Sequence, residues 1–201
     1  MKTCVLVLFL LAVTTASSLA QQTFKFGYVD LGKCFTNYFK TKLADGNLKE
    51  EGAVLDKERK EMVDKLQKMN ENYKKLLDGA NDQAASVEER EKRKKGAEEE
   101  LVKMRGAQTE IEQFERQAGS MLGEKRRRLR ENILAEIKEV VKTQAKARGY
   151  TLVVDVAAET INNTPVVLFN SGNDDLTEGV VNDLNAKAPA GVKAGDTAPA
   201  K

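Results

Sequence analysis

The chain has 201 residues, with 33 Lys and Arg against 31 Asp and Glu, no His, no Trp and two Cys. That length allows one domain or two small ones. The lack of His and the scarcity of thiols remove the usual nucleophile–base pairs and zinc sets, so no catalytic residue, metal or cofactor is expected and an enzyme is not the expected class.

Met1 and Lys2 open the chain, an apolar run from Val5 to Val13 follows, and Ser18, Leu19 and Ala20 come next. A charged start, an apolar stretch too short to stay in a bilayer and small residues at a cleavage position predict a secretory signal over 1–20, cut after about Ala20. The alternative is an uncleaved anchor. Removing the signal takes away Lys2 and Cys4, so the mature chain keeps a formal excess of one positive charge and the single thiol of Cys34. Without an internal disulfide it has to be held by packing or assembly. Cys34 is then either a small buried hydrophobe beside Phe35 and Tyr38 or a cross-link between subunits.

Phe24, Phe26 and Tyr28 alternate with Lys25 and Gly27, and Val29 and Leu31 add a second apolar face, which predicts a strand. From 33 to 148 the pattern is helical. Leu48, Leu55, Met62, Leu66, Met69, Tyr73 and Leu76 follow coiled-coil spacing, and the set from Leu101 and Met104 through Ile111, Phe114, Ala118, Leu122, Leu129, Ile133 and Ile137 to Val140 and Val141 keeps a looser helical period. No Pro interrupts either stretch. The expected tip lies near 78–86, where Gly79 suits a left-handed cap and Ser86 and Glu89 have capping-box spacing. At 1.5 Å per residue the two arms would reach roughly 70 and 90 Å, too long for an ordinary globular domain. A plain dimeric coiled coil shares this pattern, and the flanks distinguish the two.

Those flanks are β-like. Residues 150–156 are β-branched and aliphatic, 162–165 form a turn, and Val166 to Phe169 are a third short strand. Asp175 and Glu178 then open a short helix with Leu176, Val180, Val181 and Leu184 on one face, and the Ala/Pro/Gly/Lys tail over 186–201 has nothing to bury. The expected body is therefore 21–32 with 149–185, roughly 50 residues, too small to be secure alone and bearing open strand edges. Closing several copies into one barrel through Phe26, Tyr28, Val29, Leu152, Val154, Val166 and Leu168 answers both problems. The fold class expected is α+β, mostly α, with a small β-barrel body formed by oligomerisation and one long antiparallel helical hairpin per subunit. Physics leaves the number of copies open.

Taken together, the export signal, Gly27-Tyr28-Val29-Asp30-Leu31, the charged hairpin, Tyr150-Thr151-Leu152-Val153-Val154-Asp155 and the stretch from Asp175 through Leu176, Thr177, Val180 and Leu184 to Asn185 resemble the Skp/OmpH-like periplasmic chaperones. The resemblance covers nearly all of the mature chain and is specific in its flanks. It implies a homotrimer whose arms enclose a cavity for unfolded outer-membrane proteins, without ATP, during transit through the periplasm. Its best-known members are strongly basic, whereas this mature chain is nearly neutral.

Candidate client contacts on the arms are Tyr73, Leu76, Leu77 and Phe114, with the basic run Arg90, Lys92, Arg93, Lys94 and Lys95 beyond the tip. A second basic cluster, Lys125-Arg126-Arg127-Arg128-Leu129-Arg130, is a solvated helix face, a contact for lipopolysaccharide or lipid phosphates, or the mark of a rival nucleic-acid-binding protein. The export signal, the interleaved acids and the scarcity of nearby aromatics speak against nucleic acid. A passive coiled-coil spacer of the envelope is the other alternative. Gly119 to Lys125 looks like a phosphate loop only superficially, because its glycine spacing is wrong and no strand precedes it. Gly46, Gly52, Gly96, Gly106, Gly119 and Gly123 each cost roughly 1 kcal/mol in a helix, either to let the helices approach or to let the arms bend.

Overall fold

A computed structural model describes residues 24–189; the expected signal over 1–20, Cys4 and the tail beyond 189 lie outside the described residues. The element order is β1 (Phe26–Val29), α1 (Leu31–Asn37), α2 (Phe39–Ala80), α3 (Val87–Ala147), β2 (Leu152–Asp155) and α4 (Thr177–Asn185). The architecture is mostly helical with one small sheet. No helix among the described residues is long and apolar enough to cross a membrane.

Two compact units divide the chain. The β unit comprises 24–34 and Lys138–Asp183. Its strands pair in parallel, with Phe26 opposite Leu152 and Val29 opposite Asp155. Parallel pairing needs a long crossover, which the helices between the strands supply. On the other side of β1, Tyr28 donates its amide to Asp174 O at 3.1 Å and accepts from Leu176 N at 2.8 Å. β1 is thus the middle of three chain passages, and β2 carries the open edge. Gly27 is required there, because a Cβ would sit 2.8 Å from Leu176 Cδ1. Val29, Cys34, Leu176 and Val180 form the core.

Carboxylates and one hydroxyl tie the passages together. Asp155 Oδ1 accepts from the amides of Leu31 and Ala157, Asp175 Oδ1 from Thr177 N at 2.8 Å, and Thr177 Oγ1 from Asp30 N at 2.9 Å. Each satisfies a backbone donor at a helix start or a strand end.

The third strand expected over Val166 to Phe169 does not form. A single bridge joins Glu159 and Pro165, and Val166 N donates to Ala158 O, after which the segment runs without regular structure. Leu168 and Phe169 are each 84% exposed. Strand propensity is satisfied only where a partner backbone lies alongside, and among the described residues none pairs with the segment beyond Val166.

The hairpin unit comprises Phe35–Ile137 and 184–189. Its helices run antiparallel, linked by Arg59 to Glu115 at 3.6 Å, by Lys125 to Glu51, and by Lys40 to Glu136 at 2.7 Å. Leu48, Ala97, Ile111, Ile133 and Ile137 are buried, while Leu55, Met62, Leu66, Met69 and Leu101 are half-buried, as two helices alone must leave their seam.

Two local expectations change. Gly79 is not a left-handed cap: it lies inside α2, buried where a side chain would collide with Arg93, and Asn81 ends the helix in right-handed geometry, its amide donating to Leu77 O and Asp78 O. Ser86 caps α3 by accepting from Glu89 N at 3.2 Å, but the Glu89 carboxylate turns to Arg93 Nε at 2.9 Å instead of closing the box. The first arm is also not one helix from 33 onward, because Tyr38, extended at φ −75 and ψ 129, separates α1 from α2.

Candidate functional site

Two surfaces carry functional potential, one on each unit. On the β unit Phe24 and Phe26 stack at 6.2 Å between ring centres, and Phe26 faces Leu152 across the ladder. Phe26 and Leu152 are about half exposed, and Val166, Leu168 and Phe169 are exposed as well. Of the residues expected in an oligomeric body, Val29 is buried within this chain, and Tyr28 and Val154 are half-buried. A groove of about 280 Å³ beside the sheet is lined by Leu31, Val141, Tyr150, Leu152 and Val153, with Lys138 and Lys142 also on its wall. Ile161, 98% exposed in the loop after β2, belongs with this set, and sequence pattern alone missed it because Asn162 and Asn163 mark the segment as a turn.

Beneath that surface the unit is closed. Cys34 is fully buried, 3.9 Å from Thr177 O. Burial pushes its thiol up to about 11, helped by the nearby carboxylates of Asp30, Asp175 and Asp155. At neutral pH it is an unreactive thiol, which favours the buried-hydrophobe role over a cross-link.

On the hairpin, Tyr73, Leu76, Leu77 and Phe114 are half-buried. Leu76 lies against Gly96, where a Cβ would stand 3.5 Å from Leu76 Cδ2. The more exposed apolar groups are Leu43, Val54, Val63, Val87, Val102 and Met121, off the main seam positions. Val63 joins Leu66, Leu101 and Met104 in lining an open groove of about 470 Å³. Apolar residues outside the heptad positions were the sequence signal for this surface.

The basic run divides by role. Arg93 packs over Gly79 and bonds Glu89, and Arg90 is half-buried with its Nε unpartnered. Lys92, Lys94 and Lys95 are exposed, and among the described residues no carboxylate lies within ion-pairing distance of them. In the second cluster, Lys125 pairs with Glu51, Arg127 with Glu131 at 2.9 Å, and Arg130 lies over the Phe35 ring at 5.2 Å, which leaves Arg126 and Arg128 as its freest exposed charges.

The glycines separate the two explanations of their cost. A Cβ at Gly46, Gly106, Gly119 or Gly123 would meet nothing within 4 Å, and at Gly52 only Leu122 at 4.0 Å. Close helix approach therefore does not require glycine at these positions. The cross-links place Gly52 at the height of Leu122 and Gly123, so both helices carry a glycine at the same level.

A family model described as outer membrane protein (OmpH-like) matches residues 25–184. No curated protein matches the chain.

Proposed function

Because the chain belongs to the OmpH-like outer membrane protein family, we propose that it is an ATP-independent holdase of the periplasm, acting as a homotrimer that keeps unfolded outer-membrane proteins from aggregating. The observation that carries this reading is the apolar surface of the β unit: Phe26 and Leu152 flank an open strand edge, and Val166, Leu168 and Phe169 stand exposed with no partner strand among the described residues. A soluble domain does not keep such a set exposed, and copies that share strands would cover it and remove the edge together. In that assembly the segment 166–169 would gain the strand neighbour that it lacks among the described residues.

Assembly leaves the arms free to hold a client. Their exposed apolar residues are scattered singly among charges, with the half-buried Tyr73, Leu76, Leu77 and Phe114 accessible at their edges. Such contacts are individually weak. An unfolded β-barrel precursor exposes many short apolar segments, so each contact made raises the effective concentration for the next, and tight holding needs neither a deep pocket nor nucleotide. Lys92, Lys94 and Lys95 would steer acidic clients to the arms. The glycines Gly52, Gly119 and Gly123 would let the arms adapt to clients of different volume. Contacts with lipid or lipopolysaccharide phosphates would fall to Arg126 and Arg128, and with so much of that cluster already paired, nucleic acid is not an expected partner.

The test is suppression of outer-membrane-protein aggregation without nucleotide, across a salt series that takes the Debye length from about 10 Å to about 3 Å, with duplex DNA as competitor. Suppression that weakens modestly with salt and resists DNA is expected. No suppression at any salt overturns the holdase and leaves a passive spacer, and DNA outcompeting the client at equal mass restores the nucleic-acid reading. Intact mass of the exported protein should begin at Gln21, and a species retaining Met1 would remove the periplasmic assignment.

A further inference from the structure

The first arm begins with a break that the sequence does not announce. Between α1 and α2, Tyr38 adopts extended backbone, so the Asn37 carbonyl and the Phe39 amide are turned out of the helical ladder. A buried backbone donor or acceptor needs a partner to offset its lost hydration. One side chain serves both. Asn185, the last residue of α4, donates from Nδ2 to Asn37 O at 3.0 Å and accepts at Oδ1 from Phe39 N at 2.9 Å. Its amide thus acts as an inserted peptide group, and the fixed polarity of its two backbone partners dictates the orientation of the amide.

The surroundings hold the break in place. Tyr38 is 4% exposed and its hydroxyl donates to Glu136 Oε2 at 2.6 Å, while Lys40 donates to both Glu136 oxygens. Phe39, also buried, meets the Tyr38 ring edge-on at 5.2 Å. Only a side chain carrying a donor and an acceptor side by side at this length completes the set. Aspartate lacks the donor, leucine lacks both, and glutamine is longer by a methylene.

We propose that Asn185 is a positioning residue, the pin of a joint at Tyr38 that fixes where the arm helix starts. Its importance for holding clients rests on the holdase reading, whereas the pin itself does not. Asn185→Leu matches the side chain in size and removes both bonds; Asn185→Asp keeps the acceptor for Phe39. Hydrogen–deuterium exchange of the full assembled chain, read at the Phe39 amide, should rise about tenfold in Asn185→Leu and clearly less in Asn185→Asp, since one hydrogen bond sets the difference. Amides from Val180 to Leu184 should keep their wild-type rates. Equal exchange in Asn185→Leu and wild type, or a rise in Asn185→Leu spread evenly through α4, overturns the pin. Should Asn185→Leu fail to fold, Asn185→Ala, which also lacks both bonds, decides in its place: a rise confined to the joint supports the pin, and wild-type exchange throughout overturns it. Client capture is measured on the same proteins; a wild type that captures nothing removes the holdase and leaves the exchange result standing.

Discussion

The β unit and the hairpin solve the problem of burial in opposite ways. The β unit packs a true core around Val29, Cys34, Leu176 and Val180, yet keeps Phe26, Leu152, Leu168 and Phe169 in the open. The hairpin buries little at any level and spreads its exposed Leu43, Val54, Val63, Val102 and Met121 singly among charges. A short sheet concentrates its unsatisfied surface at one edge, where an identical copy can satisfy it; a two-helix seam distributes it along its whole length, where no single partner can. The first surface fits self-association and the second fits many weak contacts with an unfolded chain.

The contrast breaks most visibly if the exposed apolar residues of the β unit are made charged. Leu168→Asp with Phe169→Asp touches residues that one chain leaves in solvent, so the fold of the chain should survive while the proposed assembly falls to monomer by light scattering. Burying two unpaired carboxylates would cost at least about 4 kcal/mol. Val154→Asp, at a half-buried ladder position opposite Tyr28, should also dissociate the assembly and in addition admit maleimide to Cys34, which the double variant should not. An oligomer that survives both changes would refute the shared sheet.

Within the hairpin, Ile137→Ala removes a fully buried side chain and should cost about 3 kcal/mol in urea unfolding, against about 1 kcal/mol for Met69→Ala on the half-exposed seam. Equal losses would mean that the arm is covered along its length in the assembly. Glycine to alanine sharpens the comparison further, since the same change should have opposite signs in the two units. Gly119→Ala meets open space in a helix and should stabilise by up to about 1 kcal/mol, whereas Gly27→Ala drives a methyl against Leu176 and should destabilise. Thermal melting reads both signs.

The smallest effect concerns the joint. Bonds from Lys40 and Tyr38 hold the Glu136 carboxyl below its ordinary range, so its contribution is complete above about pH 4.5 and is lost as pH falls through the lowered folded value. Lys40 is raised chiefly by its bond to Glu136, and its contribution is present below the ordinary lysine range and lost only as pH rises through the raised value. Burial and the bond to Glu136 raise the Tyr38 hydroxyl in the same sense. Stability at the joint should therefore be flat around neutral pH and decline at both extremes. With Glu136 44% exposed the acid limb is worth well under 1 kcal/mol. Glu136→Gln should flatten the acid limb of a urea midpoint series relative to wild type; an unchanged limb would assign it to other carboxylates.

Sequence by itself determined the helical arms, the strands at Phe26–Val29 and Leu152–Asp155, the short helix after Asp175 and the Ser86 cap. Each follows from a period or a spacing within a few residues, where backbone geometry alone fixes which side chains share a face. Tertiary structure decided the rest. Val166 to Phe169 has strand composition, but a strand exists only beside another backbone. Gly79 looks like a cap until Arg93 lies across it, and β1 becomes a central strand only because Asp174 to Leu176 returns to its far side. The break at Tyr38 has no glycine or proline to mark it. Its partner is Asn185, 146 residues beyond Phe39, and local pattern cannot record a hydrogen bond whose two ends meet only after the whole chain has folded.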